Sequence, residues 1–203
     1  MTTARRNCKD GTSLLITCHP SRTSLCARVA DLVEETLKAA NASVIVEDLN
    51  ALGFDPVLSQ TELAEYYRPE CTPPDVATLA EHLRAAEELI FVSPVWMYGL
   101  PAILKGYFDR VWRPSVSFEF DGERIRPLLT GIRHMTVIAS HGRGKAECDL
   151  VGDGTLGYFA TSIPSVLPGL ETNTRFDLYG LDTADTGAIA HELENIRRHF
   201  GGV

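Results

Sequence analysis

The sequence predicts an α/β fold in which a five-stranded parallel sheet lies between two layers of helices. Short apolar runs of strand length alternate with segments whose apolar residues recur every three or four positions. This alternation is typical of parallel sheets, because their crossover helices cover both faces and bury the strands. The chain has 203 residues, of which 44% are hydrophobic and 23% charged, as in ordinary globular domains. We therefore expect residues 1–203 to form one domain.

Three strands and three helices are predicted in the first half of the chain. Residues 24–40 have apolar side chains spaced by four, three, one and four positions, and Ser24 precedes them as a helix N-cap. Four prolines make residues 50–74 an irregular excursion from this pattern. The predicted strands are residues 13–18, 43–46 and 89–92. The predicted helices are residues 24–40, 75–86 and a short one near 62–67.

Two strands and three helices are predicted in the second half. Pro101 suits the first turn of a helix. Residues 113–131 form a second excursion, in which Val116, Phe118 and Phe120 alternate onto one side. The predicted strands are residues 135–139 and 175–179. The predicted helices are residues 102–112, 155–167 and a final one marked by Ile189, Leu193, Ile196 and Phe200.

The charge balance argues against one broad class of function. Lys and Arg number 19 against 27 Asp and Glu, a net charge of −8, whereas binding a nucleic-acid backbone needs a concentrated positive surface. A small anionic ligand is still compatible with this charge, because one loop and one helix end can hold it. No apolar stretch approaches the ~18 residues of a membrane helix. We therefore expect no nucleic-acid partner and no integral membrane segment.

The cysteine pattern favours a cytoplasmic location. The cysteines are odd in number and widely spaced, and no two of them form a CxxC pair, so neither a disulfide framework nor a metal site is expected. We interpret them as reduced and mostly buried thiols. The N-terminal segment has early positive charge but only a short apolar run, which makes a poor signal peptide. The cysteines are Cys8, Cys18, Cys26, Cys71 and Cys148.

Ligands of doubly wound sheets bind beyond the carboxyl ends of the strands, where the strand order reverses. In the flavodoxin-like order 2-1-3-4-5, this point lies between the first and third strands, so the relevant loops are residues 19–24 and 93–100. The first loop (HPSRTS) offers hydroxyl and N–H groups at a helix N-terminus, which suit a phosphate or pyrophosphate. A polar loop that only caps the helix explains these residues equally well.

The second loop carries large apolar side chains where polar ones are expected. Trp96, Met97 and Tyr98 closely follow a buried strand, and a planar heteroaromatic ligand packed against them would explain their position. A flat ring bound here and a phosphate bound at the neighbouring loop together match the structure of a flavin nucleotide. The third loop, residues 140–144, has two glycines that allow close approach to a ring edge. His141 in this loop could donate a proton, or could simply be a solvated side chain.

Residues 93–112 (SPVWMYGLPAILKGYFDRVW) resemble the signature segment of the flavodoxin-like NAD(P)H:quinone oxidoreductase family. That pattern has a proline, aromatic residues, P-A-x-L-K-G and an aromatic residue before D-R-V. Residues 14–30 (LLITCHPSRTSLCARVA) resemble the family's first strand and phosphate loop, with the histidine and the T-S pair at matching positions. The likeness covers about residues 13–144. It implies a flavodoxin-like three-layer sandwich.

The resemblance also implies an activity. A member of this family would transfer hydride from NADH or NADPH to a flavin, then reduce a quinone or a related acceptor by two electrons. FMN is the expected cofactor and FAD the alternative, and the enzyme would be a homodimer with the active site at the interface. His141 is the catalytic candidate. The candidate cofactor-binding residues are His19, Thr23, Ser24, Leu25, Pro94, Val95, Trp96, Met97, Tyr98, Ser140, His141, Gly142 and Arg143. The candidate substrate-binding residues are Met97, Tyr98, Phe118 and Phe120.

Several positions depart from the family pattern. The family's T-T-G-G loop reads S-H-G-R at residues 140–143, and Cys26 stands where asparagine is common. No residue matches the tyrosine and histidine that assist hydride transfer in the mammalian members. Residues 152–157 spell the dinucleotide-binding pattern G-x-G-x-x-G, but no strand is predicted before them, so a second nucleotide site is not expected.

Two alternative functions remain open from the sequence. A flavodoxin-type electron carrier fits the acidic composition, although carriers usually lack the P-A-I-L-K-G segment and the second aromatic excursion. A flavin-bound regulatory subunit of a membrane transporter is the other alternative, and the sequence neither supports nor opposes it.

Overall fold

Strands and helices alternate along the chain. The structure, a computed structural model, describes residues 11–183 and 186–201. In chain order the elements are β1 (Thr12–Thr17), α1 (Leu25–Ala39), β2 (Ser43–Asp48), α2 (Gln60–Ala64), α3 (Pro74–Ala85), β3 (Ala86–Val95), α4 (Ala102–Val111), β4 (Phe118–Asp121), β5 (Arg124–Pro127), β6 (His134–His141), α5 (Lys145–Val151), α6 (Gly154–Gly157), β7 (Thr172–Leu178) and α7 (Thr186–Gly201).

Five strands form one parallel sheet in the order β2-β1-β3-β6-β7. β1 pairs with β2 on one side and with β3 on the other, and β6 pairs with β3 and β7. Because β4 and β5 lie outside this sheet, the order is the predicted 2-1-3-4-5 and the fold class is confirmed. The carboxyl ends of β1 and β3 are therefore neighbours at the edge where a ligand is expected.

Two apolar cores cover the two faces of the sheet. Neighbouring residues of a strand point to opposite faces, so Leu14 and Ile16 join one core while Leu15 joins the other. The first core packs against α3 and α4, and the second packs against α1 and α7. All three of these strand residues are at most 1% exposed. Burial on both faces explains why the strand is apolar without alternation.

Serine hydroxyls begin two of the helices. Ser24 caps α1 as predicted, since its hydroxyl accepts a hydrogen bond from Ala27 N at 3.1 Å. The Ser59 hydroxyl accepts from Glu62 N at 3.1 Å and starts α2 at Gln60, so this helix begins and ends earlier than predicted. Each hydroxyl satisfies one of the N–H groups that a first helical turn leaves without a partner.

One helix prediction is wrong and one helix was missed. The segment predicted as a single helix over 155–167 is broken, because Pro164 has no N–H and its ring crowds the preceding turn. Its pieces are α6, a π-helical turn over Tyr158–Ser162 and a 3-10 turn over Pro164–Val166. α5 had no predicted counterpart. It is a seven-residue helix, too short for a clear apolar period.

The second excursion contains an antiparallel hairpin made of β4 and β5. Gly122, at φ +65°, supplies the left-handed conformation that the turn needs. The Phe118 and Phe120 rings on β4 contact each other at 5.7 Å between centroids, and the Phe120 ring lies 6.0 Å from that of Tyr67. The two excursions therefore meet through aromatic side chains.

The described cysteines are free thiols, namely Cys18, Cys26, Cys71 and Cys148. Three are buried and Cys71 is half-buried, in agreement with the prediction that most are core residues. Cys8 and residues 1–10, on which the signal-peptide interpretation depends, lie outside the described residues. Within the part of the chain that the structure describes, no helix is long and apolar enough to cross a membrane.

A buried ionic cluster attaches the first excursion to α4. Arg110 donates from Nε to Glu62 Oε2 at 2.8 Å and from Nη1 to the Asp55 carbonyl at 2.6 Å. The fully buried Arg113 places Nη1 3.6 Å from Glu62 Oε1 and donates from Nη2 to the Tyr66 carbonyl at 2.9 Å. Two guanidinium groups thus share one buried carboxylate. Loss of that carboxylate would leave the buried Arg113 charge uncompensated, whereas Arg110 also pairs with Asp75 at 2.9 Å.

The packing of the first excursion against α4 also requires a glycine on this helix. A Cβ atom at Gly106 would lie 2.3 Å from the Pro56 carbonyl oxygen, well inside the contact distance of non-bonded atoms. The backbone of the excursion therefore lies directly on the backbone of the helix.

Gly106→Ala is expected to lower the free energy of unfolding by about 2 kcal/mol, because the added methyl group must displace the backbone at Pro56. Gly157→Ala is the matched control, since its Cβ would meet nothing within 4 Å and alanine is favoured over glycine in helices by ~1 kcal/mol. Urea denaturation followed by circular dichroism measures both variants. Equal stability of G106A and the unmodified protein would contradict the close packing of the excursion on α4.

Candidate active site

A cavity of about 610 Å³ opens at the carboxyl edge of the sheet. It lies at the ends of β1, β3, β6 and β7, where the topology predicts a ligand. Three of the five segments that line it were predicted from the sequence. The lining residues are His19, Pro94, Val95, Trp96, Met97, Tyr98, Ser140, His141, Gly142, Arg143, Cys148, Leu181 and Asp182.

A tight turn after β3 forms the apolar wall of the cavity. Trp96 and Gly99 exchange two backbone hydrogen bonds, of 3.0 and 3.1 Å, across Met97 and Tyr98. The two central residues have φ values of +49° and +59°, as in a type I′ turn. This conformation strains residues other than glycine by ~1 kcal/mol each. Met97 remains 93% exposed, so the turn presents a large apolar surface.

The strained turn is held from behind by the start of α6. Gly154 N donates to the Tyr98 carbonyl at 2.8 Å, and a Cβ atom at Gly154 would lie 2.9 Å from that oxygen. Gly154 belongs to the G-x-G-x-x-G segment, in which a helix and not a strand precedes the pattern. The segment therefore lacks the strand required of a dinucleotide fingerprint, and it supports the turn.

The loop before α1 presents donors beside this turn. The Leu25 and Cys26 N–H groups belong to the first helical turn, where no intrahelical acceptor is available. His19 Nδ1 accepts from Ser21 N at 3.0 Å, and the His19 ring contacts Trp96 at 5.9 Å between centroids. Both loops therefore meet at the cavity.

Arg22 in that loop pairs with two carboxylates outside the cavity lining. Its guanidinium donates to Asp48 at 2.7 Å and lies 3.8 Å from Asp31. Backbone N–H groups and hydroxyls are therefore the donors that this loop offers to an anion, as at other helix N-termini.

His141 is a buried residue at the end of β6, so its predicted place in a loop is wrong. It is 2% exposed, and its Nε2 lies 2.8 Å from Asp177 Oδ1 on β7. Tyr179 stacks on the imidazole at 4.4 Å between centroids. The alternative interpretation of His141 as a solvated side chain is therefore also wrong. Ser140, likewise on β6, places its hydroxyl 3.0 Å from the Cys26 thiol.

Arg175 neutralises the carboxylates behind His141. Its Nη2 donates to Asp153 at 2.6 Å and to Asp177 at 2.8 Å. Burial would raise the pKa of Asp177, but the hydrogen bonds from His141 and Arg175 outweigh burial and lower that pKa. His141, Asp153 and Asp177 have the residue types of a metal site, yet the guanidinium already supplies the positive charge for both carboxylates.

Sequence reasoning missed three residues of the lining. Leu181 and Asp182 follow β7, so the strand-end rule used for the other loops could have found them. Asp182 N donates to the Gly142 carbonyl at 3.0 Å, and a Cβ atom at Gly142 would lie 2.5 Å from Asp182 Oδ2. Cys148 lies on α5, which carried no sequence signal.

Five predicted site residues lie outside this lining. Ser24 caps α1, Thr23 is exposed with its hydroxyl 3.0 Å from that of Ser21, and Leu25 lines a second cavity between α1 and α7. Phe118 and Phe120 lie on the hairpin described above. The structure therefore brings together the predicted residues at the end of β3 and in its turn (94–98) and those at the end of β6 (140–143). The two phenylalanines do not reach the cavity of their own chain.

Comparison with known proteins identifies several relatives. An uncharacterised NAD(P)H oxidoreductase of Escherichia coli K12 is 31% identical over 112 residues, which are 55% of this chain and 57% of that protein. An FMN-dependent NADH:quinone oxidoreductase of Jannaschia sp. is 32% identical over 115 residues, 51% of this chain and 52% of that protein. The chain spans about half the length of these curated relatives.

Solved structures that are similar to this chain over nearly its whole length include one of higher identity than the fold alone would require. It is an NAD(P)H:quinone oxidoreductase from Methanothermobacter marburgensis, which is 27% identical with a TM-score of 0.78, over 94% of this chain and 96% of that one.

The family model matches most of the chain. Residues 12–200 match a family described as having a flavodoxin-like fold, and the strand order of the sheet agrees with it. The chain therefore belongs to this flavodoxin-like family.

Proposed function

We propose that this protein is a flavin-dependent NAD(P)H oxidoreductase that reduces a quinone or a related acceptor by two electrons. The observation that carries the proposal is the cavity, in which His19 of the loop that leads into α1, an apolar turn and a buried imidazole converge. A phosphate suits the first and a flat heteroaromatic ring suits the second. The solved structure with 27% identity is named for the same reaction, which supports the proposal.

The residues present fit FMN. The cavity of about 610 Å³ is within the range of small-molecule sites, about 300–1,000 Å³. In this proposal the Leu25 and Cys26 N–H groups and the Thr23 hydroxyl hold the phosphate, with Ser24 and His19 beside them. FMN is proposed over FAD because Leu25 and Cys26 offer little to an adenosine. The relative from Jannaschia sp. is FMN-dependent by name, which agrees with this choice.

The flavin would supply the redox chemistry, since it accepts a hydride and returns two electrons. The chain would bind and orient it and exclude water. We assign the ring wall to the end of β3 and its turn, and the ring edge to the end of β6 and the glycine after it. The wall residues are Pro94, Val95, Trp96, Met97 and Tyr98, and the edge residues are Ser140, His141, Gly142 and Arg143.

We also propose a homodimer with the active site at the interface. Met97 is 93% and Trp96 46% exposed, so the cavity of one chain leaves its apolar wall open to water. Phe120 is 53% exposed on a hairpin that does not reach the cavity of its own chain. A second copy could use its Phe118 and Phe120 to cover the acceptor site, together with Met97 and Tyr98 of the first. We also propose a cytoplasmic location, on the basis of the cysteine pattern.

The spectrum of the purified protein tests the function. We expect the absorption bands of an oxidised flavin, rapid bleaching by NAD(P)H, and recovery on addition of a soluble benzoquinone. Because both substrates would use the same ring face in turn, double-reciprocal plots should be parallel. Slow reduction by NAD(P)H would favour a flavodoxin-type carrier, and capture of a membrane transporter would favour a regulatory subunit. A colourless protein that neither flavin reconstitutes would contradict the proposal.

Phe120→Glu tests the dimer. A carboxylate in an apolar interface loses its hydration without a partner, so this variant should sediment as a monomer and reduce quinone at least about tenfold more slowly. Leu52→Glu is the matched control, since Leu52 is 58% exposed outside the hairpin. If the unmodified protein sediments as a monomer at micromolar concentration, the dimer is ruled out.

The double variant Met97→Asn, Tyr98→Gly should separate stability from cofactor binding. Asparagine and glycine adopt the left-handed conformation readily, so the free energy of unfolding should rise by about 1–2 kcal/mol. FMN should bind about tenfold more weakly, because the ring loses its apolar wall. Urea denaturation and FMN fluorescence titration measure the two effects.

Asn41→Gly is the control for this double variant. Asn41 has φ +57° after α1, far along the helix from its N-terminal loop, so its replacement should leave FMN affinity unchanged. A double variant that keeps full affinity would show that the turn does not contact the flavin.

A further inference from the structure

A thiol, an imidazole and a carboxylate lie in line in the wall of the cavity. Cys148 Sγ is 3.8 Å from His141 Nδ1, and His141 Nε2 is 2.8 Å from Asp177 Oδ1. These residues come from α5, β6 and β7 respectively. Both Cys148 and His141 line the cavity. The line therefore runs from the edge strand β7 to the place proposed for the flavin and its acceptor.

The partners of His141 determine which nitrogen carries its proton. The lowered pKa of Asp177 keeps this carboxylate ionised, so it can only accept a hydrogen bond. Nε2 must therefore carry a hydrogen in the neutral ring as well as in the imidazolium. Nδ1 faces the thiol and is the nitrogen that gains or loses a proton. Stacking on Tyr179 prevents the ring from turning away.

We propose that Cys148 is the proton donor to the oxygen of the reduced acceptor, with His141 returning a proton to it and Asp177 positioning His141. This inference rests on the proposed function, since it requires an acceptor that takes up protons. Cys148 would be the catalytic residue because it borders the acceptor. His141 and Asp177 would be positioning residues behind it.

The step balances in atoms and charge. Reduction of a quinone to a hydroquinone takes up two electrons and two protons, and a hydride provides both electrons and one of the protons. The second proton comes from the Cys148 thiol: its S–H bond breaks, an O–H bond forms on the acceptor, and Sγ keeps the electron pair. The His141 imidazolium then returns its Nδ1 proton to Sγ, and solvent entering the emptied cavity reprotonates Nδ1.

The environment of Cys148 suits a proton donor better than a nucleophile. Burial, and next the negative charges of Asp153, Glu147 and other nearby carboxylates, raise the pKa of this thiol above its usual value. The thiol is therefore protonated at neutral pH. A protonated thiol that borders the acceptor can therefore supply the proton that a hydroquinone oxygen takes up.

Two electron acceptors distinguish a proton donor from a structural residue. Benzoquinone needs protons, whereas ferricyanide takes electrons alone. The FMN-loaded protein is reduced with dithionite and mixed with saturating amounts of either oxidant in a stopped-flow instrument. In Cys148→Val, which fills the site without an acidic proton, the ratio of the quinone rate to the ferricyanide rate should fall about 100-fold.

Further variants complete the test. Cys148→Ser keeps a hydroxyl and should recover part of the ratio, while His141→Gln and Asp177→Asn should each lower it. Cys71→Ala is the matched control, because this half-buried thiol lies outside the cavity lining. Its ratio should equal that of the unmodified protein.

The outcomes separate this proposal from the proposed function. Chemical reduction of the flavin makes the ratio independent of NAD(P)H, so a protein that NAD(P)H cannot reduce would fail as an NAD(P)H oxidoreductase while the proton donor is still tested. A ratio in C148V within about twofold of the unmodified protein would overturn the donor role. Equal losses with both oxidants would overturn it as well, since they would indicate a damaged flavin site.

Discussion

The double pairing of β1, with β2 on one side and β3 on the other, is the constraint on which the site depends. Parallel strands place all their carboxyl ends at one edge, and the reversal of order at β1 opens a crevice there. The loop before α1 and the turn after β3 then face each other, so His19 contacts Trp96 although 77 positions separate them in the chain. A different strand order would leave these two loops apart.

A chain of polar contacts makes the cavity wall rigid. The Tyr98 carbonyl is bonded to Gly154, whose neighbour Asp153 pairs with Arg175. Arg175 also pairs with Asp177, which holds His141. The energy of the left-handed turn at Tyr98 is therefore offset by contacts that reach back to the edge strand β7. Polar networks of this kind favour one arrangement of a site, although the buried Arg175 Nη1 has no hydrogen-bond partner within the described residues.

The predictability of each part follows from the range of the interactions that form it. The strand at residues 13–18 and the Ser24 cap depend on local composition, and both were predictable. The predicted helix over 155–167 is wrong because Pro164 cannot continue a helix, although a proline is also a local signal. His141 was assigned to a loop because the strand extends beyond its apolar run, through pairing with β3 and β7. Such extension depends on the neighbouring strands and has no local signal.

The sequence by itself determined the five strands of the sheet, its two apolar faces and most of the cavity's lining segments, because periodicity and strand-end topology express them directly. Only the tertiary structure decided what His141 contacts. Asp177 and Cys148 lie 36 and seven positions from it in the chain, and Arg175 on β7 compensates the Asp177 carboxylate. Side-chain contacts of this kind depend on packing between elements, and the pattern of a single sequence does not predict which buried groups will be in contact.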